Sequence, residues 1–515
     1  MAGLARRQQL HRLRSRAPAV ITILFILSAC AVGPDFKRPE APQDAGFTPS
    51  PMPPKTMSAQ TNGGEAQRFA IGRDIQFDWW TLFQSPALDS LVKQAFKANP
   101  TIDSAQAALK QAQENVYAQQ GYFFPTLQAG DTFERQQLAG NLSNNAPGLQ
   151  ANGAFIGSGS AKPVTYNFHT AQLTVGYTPD VFGGNRRQVE SLQAQADNQR
   201  FNLEAAYITL ASNVVAAALQ EASTRAQIKA TKDIIRINEE SLKILRYQFR
   251  VGYAQRIDVA AQEAALAQAK ALLPPLEKQH EQTRDLIRAL VGNLPNQDVV
   301  EKFELSALHL PLEPPVSLPS KLIEQRPDVR AAEEQMHAAS AEVGVAISAM
   351  VPQFNITATA GGAAAAFGQM FSSGGPFWSL AAGVTQPLFD GFTLLHKKRA
   401  ADQALIQAQA QYRSTVISAF QNVADTLHAV VSDASALSAA VEAEQAAKVT
   451  LDLTLRQSQV GYVNYLTLLT AETVYQQALA TRVQAQAARF GDTAALYQAL
   501  GGGWWHRDDK QTAER

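Results

Sequence analysis

A single cysteine, Cys30, serves all 515 residues, so no disulfide can form within one chain. No apolar run reaches the roughly 20 residues that a membrane-spanning helix needs. Net charge is missing too, with 45 basic and 45 acidic side chains. Histidines number only 8, and no two stand at a metal-ligand spacing, so neither a metal nor a cofactor is expected. The loose echo of a phosphate loop at Gly157-Ser-Gly-Ser-Ala-Lys162 has no helix behind it and reads as surface loop. Nothing in the chain suggests an enzyme. Glycine and proline are absent from two long stretches, and those stretches shape the fold.

The neutral total hides an asymmetry. Residues 1–29 carry five arginines (Arg6, Arg7, Arg12, Arg14 and Arg16) and no acid, which leaves 40 basic against 45 acidic groups in the remainder. A body of that sign lacks the basic face that nucleic acid requires, so no nucleic-acid partner is expected. The arginine-rich start, the apolar segment Ala19 to Leu27 and the small residues Ser28 and Ala29 form a secretory signal, 1–29. Leu27-Ser28-Ala29-Cys30 resembles the bacterial lipobox, in which the cysteine thiol receives a diacylglycerol before cleavage and N-acylation, palmitate being the expected acyl chain. Ala31 follows in place of the aspartate of inner-membrane retention signals, which favours the outer membrane. Several acyl chains, at about 0.8 kcal/mol per buried methylene, would hold the chain stably. Residues 30–81 are rich in Pro, Gly, Ser and Gln and read as a lipid-anchored, extended tether.

Beyond the tether the sequence repeats. Asn99-Pro100 and Phe124-Pro125 recur as Arg326-Pro327 and Val351-Pro352, both at an offset of 227, and Val251-Gly252-Tyr253 recurs as Val460-Gly461-Tyr462 at 209. An extra Gly/Asn/Ser-rich loop, 139–163, accounts for the change of offset. The units span 82–300 and 320–503, joined by a linker at 301–319 and followed by a polar tail, 504–515, expected to fray. Gly184 and Gly252 enclose 67 residues free of glycine and proline, and Gly391 and Gly461 enclose 69. At 1.5 Å per residue each could form a helix of about 100 Å. Val416, Phe420, Val423, Leu427, Val430, Ala434, Leu437 and Val441 step by four and three. Tyr207, Val214, Ile228, Ile235 and Leu242 keep the same phase in the first copy, as coiled-coil packing demands. A second helix follows each, about Ile257 to Ala289, with Pro274-Pro275 expected to break it, and about Leu466 to Ala499. Two helical hairpins result, with tips near 252–257 and 461–466. A single further helix is expected ahead of each unit, about Ala87 to Gln120 and Lys321 to Met350. Glu333-Glu334 and Lys397-Lys398-Arg399 read as solvated helix faces, and the second cluster could also meet membrane headgroups.

Each copy also carries two amphipathic strands, Thr126–Gln136 with Thr165–Tyr177, and two within a hairpin at 353–388. Segments of about 10 residues, apolar on alternate positions, suit a membrane barrel. Four strands cannot close one, because about eight are needed and an open edge leaves backbone groups unpaired in lipid. Several chains must contribute, and the count permits a dimer with eight strands or a trimer with twelve. The fold class is α+β, mostly α.

The lipobox, the duplicated unit and the tips together resemble the TolC-like outer membrane factor family, in its lipoprotein branch. Trp79-Trp80-Thr-Leu-Phe83, Arg326-Pro-Asp-Val-Arg330, Gln386-Pro-Leu-Phe-Asp-Gly391 and Gly461-Tyr-Val-Asn-Tyr-Leu-Thr-Leu-Leu-Thr470 carry the likeness, over roughly residues 30–503. The resemblance implies a homotrimer with a 12-stranded β-barrel in the outer membrane of a Gram-negative bacterium and an α-helical barrel in the periplasm. It implies a passive exit duct for drugs and other toxic small compounds, conferring multidrug resistance. Its partners would be a periplasmic adaptor, an inner-membrane pump of the RND type and outer membrane lipid. A type I protein-secretion duct of the same architecture is the alternative, and a scaffold lipoprotein without a pore is a third. In the family the hairpin tips form the periplasmic aperture, where acidic rings bind cations. Here Arg256 and Asp258 match the first tip, Asp258 being equally readable as a helix cap. Thr467 and Thr470 stand where the family has constriction acids, beside Tyr462 and Tyr465. Three hydroxyls on a pore axis attract cations far less than three carboxylates.

Overall fold

The computed structural model of the chain describes residues 31–41, 46–138 and 163–507. The signal segment, Cys30, all but the last residue of the long loop, and the end of the tail lie outside them. The described residues form two compact units. The first takes those up to Lys37 with those of Ala112–Ala196 and Met336–Ala408; the second takes Arg38–Gln111, Asp197–Gln335 and those from Gln409 on.

The helices are α1 (Pro86–Ala98), α2 (Pro100–Gln120), α3 (Gly184–Arg250), α4 (Arg256–Leu290), α5 (Pro319–Gln325), α6 (Pro327–Ser348), α7 (Thr393–Gln459) and α8 (Tyr465–Ala499). The single helix expected ahead of each unit is two helices in both copies. Asn99 and Arg326 take extended backbone, with ψ of 121° and 119°, because a following proline disfavours the helical region, and Pro100 and Pro327 then open new helices. Both corners are pinned alike: Asn99 Nδ2 donates to the Leu290 carbonyl at the end of α4 (2.8 Å), and Arg326 donates to the Ala499 carbonyl at the end of α8 (3.0 Å). The break expected at Pro274-Pro275 does not occur, since α4 runs through both. Both prolines are exposed, so the carbonyls of Lys270 and Ala271 that lose their helical donors can turn to water. An 18-residue window of α3 is apolar enough to cross a membrane, but 67% of it is buried within the protein.

The coiled-coil seam is a buried row in α7 from Val423 through Leu427, Val430, Ala434 and Leu437 to Val441. In α3, Tyr207, Val214 and Leu242 are buried, whereas Ile235 is only half-buried and its neighbour Ile234 takes the interior place. A straight helix of 3.6 residues per turn drifts against a 3.5-residue repeat, so an apolar pair there lets either residue fill the seam.

The part of the second unit that precedes α1 is short of regular structure, yet it is strapped to the rest of that unit. The strand β1 (Ala70–Ile71) pairs in parallel with β4 (Pro315–Val316). Gln67 is buried and donates to the Pro311 carbonyl, and fully buried Arg489 on α8 donates to the Thr56 hydroxyl (3.2 Å) and to the Glu65 carbonyl. Trp79 then stacks on Tyr497 of α8 with ring centroids 5.3 Å apart, and Phe83 meets Phe490. Glu333 is not on a solvated face: it is buried on α6, bonded by Arg38 at 2.9 Å and Arg330 at 2.7 Å. Nor does the tail fray at once. Trp504 donates to the Gln325 carbonyl (2.7 Å), and Arg507 pairs with Glu204 and lies over the Tyr207 ring at 4.5 Å, so the chain stays docked through residue 507.

The first unit holds one antiparallel sheet of β2 (Thr126–Leu138), β3 (Val164–Tyr177), β5 (Gln353–Ala364) and β6 (Pro376–Thr385), in the order β2-β3-β5-β6. The β3–β5 pairing joins the two copies, and β2 and β6 are its edges. Register aligns the faces across all four strands. The rows Leu127–Val175–Ala358–Leu380 and Ala129–Leu173–Ala360–Trp378 are apolar, and the intervening row Gln128–Thr174–Thr359–Ser379 is polar. That face also carries two charged side chains on β2, Asp131 opposite Ala171 and Arg135 opposite Asn167.

Candidate functional site

The hairpin tips are built by one local device used twice. Gly252 and Gly461 adopt left-handed φ values of 86° and 77°, which reverse the chain at the end of a helix with little cost to glycine alone. The next amide closes the turn: Tyr253 N–H donates to the Gln248 carbonyl (2.8 Å) and Tyr462 N–H to the Gln457 carbonyl (2.9 Å). Each following helix is capped. The Gln255 side chain accepts from the Asp258 amide while Asp258 accepts from the Gln255 amide (3.0 Å), a reciprocal box, and Asn464 accepts from the Thr467 amide (3.0 Å).

The residues singled out from sequence therefore divide. Asp258 caps α4, and Arg256 is an exposed first-turn residue 4.0 Å from Glu263. Tyr462 is 86% exposed at its tip. The Thr467 hydroxyl donates to Asn464 (2.8 Å) and that of Thr470 to the Leu466 carbonyl (2.9 Å), so both exposed threonines have their protons engaged on their own helix. Tyr465 differs: it turns inward and packs on Leu242, Leu245 and Val259.

That inward turn starts a polar chain inside the second unit. The Tyr465 hydroxyl donates to Gln262 Oε1; Gln262 Nε2 donates to the Asn238 carbonyl (3.1 Å) and to its Oδ1 (3.0 Å); Asn238 donates to the Ile234 carbonyl (2.9 Å). Gln262 and Asn238 are both buried, and burial pushes the Tyr465 phenol up from its ordinary value. Glu472, two turns further along α8, is 3% exposed, and burial pushes its carboxyl up to about 7. Half-buried Glu263 is held below the usual carboxylate range by Arg246 at 2.8 Å. Sequence reading missed Gln262, Asn238 and Glu472, because a glutamine or glutamate among Ala and Gln on a long helix looks the same whether it faces water or a neighbour.

A second constructed feature lies in the first unit, at the foot of the sheet. The chain from Ala31 to Asp35 lies against the turn between β3 and α3, where Val32 N–H donates to the Phe182 carbonyl (3.0 Å). Arg187, its side chain 6% exposed, bonds the Val32 carbonyl (3.1 Å), Asp35 (2.7 Å) and Glu190 (2.7 Å). Gly33 (φ 101°) fits so closely that a Cβ there would lie 2.4 Å from the Gly344 Cα.

A family profile described as outer membrane efflux protein matches residues 91–293 and 318–502. The efflux pump outer membrane protein TtgC of Pseudomonas putida is 28% identical over 490 residues, 94% of either chain. The pyoverdine export outer membrane protein OpmQ of Pseudomonas aeruginosa is 27% identical over 478 residues, 91% of this chain and 96% of its own. Among solved structures, the outer-membrane channel OprN superposes with a TM-score of 0.80 at 24% identity, covering 92% of this chain and all of its own. The Campylobacter jejuni channel CmeC gives 0.81 at 19%, covering 94% and 97%. At those identities the two channels speak to the fold.

Proposed function

The chain belongs to the outer membrane efflux protein family, and from that premise we propose that three copies form a passive exit duct. Each copy would supply four strands to a 12-stranded barrel in the outer membrane of a Gram-negative bacterium, and two helical hairpins to a periplasmic tube. The observation that carries this reading is the open sheet, apolar on one face, polar on the other and unpaired at β2 and β6. Such edges cannot remain in lipid, and pairing β6 of one copy with β2 of the next satisfies both. A periplasmic adaptor and an inner-membrane pump of the RND type would supply cargo and energy. The cargo would be small toxic compounds, in line with relatives named for efflux pumps and pyoverdine export. Those relatives do not favour the protein-secretion alternative. Reconstituted protein is expected to run as a heat-modifiable trimer and to conduct ions across a planar bilayer; a stable, non-conducting monomer would refute the reading.

Lipid on Cys30 is part of the same proposal. The tight seat of residues 31–35 supports it, because acyl chains starting one residue earlier would begin near the foot of the sheet. Cys30→Ser is expected to abolish incorporation of labelled palmitate; label retained on the variant would place the modification elsewhere.

At the tips, Thr467 and Thr470 would make a pinch less sensitive to cations than an acidic ring. Micromolar trivalent cations are expected to leave wild-type conductance nearly unchanged and to block Thr467→Asp/Thr470→Asp. Strong block of the wild type would contradict this assignment.

A further inference from the structure

The duplicated tips carry the same acid in two opposite environments. Glu263 and Glu472 correspond at the 209-residue offset that relates Gly252 to Gly461. Glu263 keeps two cations, Arg246 at 2.8 Å and Arg256 at 4.0 Å. At the positions corresponding to those arginines the second copy has Leu455 and Tyr465. Glu472 has therefore lost both partners, and it is buried. Its Oε1 accepts one long bond, 3.4 Å, from the Ser241 hydroxyl of α3, and its Oε2 has no hydrogen-bond partner among the described residues. Charged groups along the neighbouring stretches of the surrounding elements are Glu239, Glu240, Lys243 and Arg246 of α3, Arg256, Asp258 and Glu263 of α4, and Lys448, Asp452 and Arg456 of α7. Among the described residues none of them forms an ion pair with Glu472; Glu239 is held by Lys270 at 2.6 Å. On its own helix, Tyr465 directs its hydroxyl to Gln262.

We propose that Glu472 is a proton-binding site that sets the strength of the α3–α8 contact: protonated, it stays packed against Ser241, and ionised, it is drawn to water and loosens the tip. Protonation supplies what the buried carboxylate lacks, by removing the charge that no cation balances. The direction in pH follows from burial, which raises the packed carboxyl from 4.5 to about 7. Once α8 parts from α3 the group is hydrated and ordinary again. The contact is thus strongest below about 4.5, weakens as pH rises toward 7, and stays weak above it. Between pH 5 and pH 8 the opening equilibrium should rise on the order of 50-fold. The consequence for conductance rests on the tips being the aperture.

Hydrogen exchange on the full-length protein, corrected for intrinsic rates, reads the contact directly. At pH 8 relative to pH 5 the amides of 238–245 and 465–472 are expected to open about 50-fold more often in the wild type and equally often in Glu472→Gln. A pH response that persists in Glu472→Gln, or is absent from the wild type, overturns the proposal. Should Glu472→Gln fail to assemble, Ser241→Ala serves: losing the one donor to the carboxylate must move the midpoint to higher pH, and an unmoved midpoint is equally fatal. Conductance over the same pH range separates the two readings. If exchange responds as stated while open probability does not, the proton site stands and the tips are not the aperture.

Discussion

Leu380→Arg is expected to prevent stable assembly, whereas Ser379→Arg, one residue away, leaves the oligomer intact. The two side chains lie on opposite faces of β6, Leu380 in an apolar row with Ala358 and Val175, Ser379 in a polar row with Thr359 and Thr174. Leu380 is the fifth of the 10 residues of Pro376–Thr385, near mid-strand, where an arginine exposed to hydrocarbon costs about 2–4 kcal/mol. Three copies in one barrel would multiply that to about 6–12 kcal/mol, comparable to the whole stability of an ordinary domain. An arginine at 379 would meet water in the lumen and alter ion selectivity instead. The measurement is the fraction of heat-modifiable trimer and its urea midpoint in lipid. Equal loss from both variants would mean that the sheet's two faces are not distinguished by lipid and water. Asp131 and Arg135 bound the claim, since that face already carries both; carboxylates are the less costly charges there, and Arg135 stands three residues from the end of β2, where an arginine costs less than at mid-strand.

What the sequence made legible was whatever repeats or alternates. The period of two in 354–360 and 378–384 marks strands with faces, and the long stretches between Gly184 and Gly252 and between Gly391 and Gly461 mark the great helices. What escaped depends on which residue meets which across long separations. Pro274-Pro275 looked like a helix break because their exposure, which lets the freed carbonyls reach water, is a tertiary fact. Glu333 looked solvated because its covering partner, Arg38, comes from the segment before the first unit. The tail looked loose because its anchors, Gln325, Glu204 and Tyr207, lie far back in the chain. The tips divide the same way: Gly252, Gly461 and the caps follow local rules, whereas the inward turn of Tyr465 depends on a buried glutamine from another hairpin.

Gln262→Leu is expected to loosen that tip at every pH. Gln262 is fully buried and is the middle of a chain, accepting from the Tyr465 hydroxyl and donating to Asn238. Leucine fills a similar volume but leaves the Tyr465 hydroxyl and Asn238 Oδ1 unsatisfied, at about 1–3 kcal/mol each. Part of that is offset because leucine is the better side chain at a fully buried position, so a net loss of about 2–4 kcal/mol is expected, raising local opening roughly 30- to 1,000-fold. Adding Tyr465→Phe removes one of the two stranded groups, so the double variant should be tighter than Gln262→Leu alone, a non-additivity that packing loss would not produce. The response to pH then distinguishes the two buried features. Gln262→Leu shifts the opening curve upward without flattening it, because Glu472 still titrates, whereas Glu472→Gln flattens it without loosening the acid limit. If Gln262→Leu and the double variant open equally, the hydroxyl was never part of the latch and Tyr465 holds the tip by its ring alone.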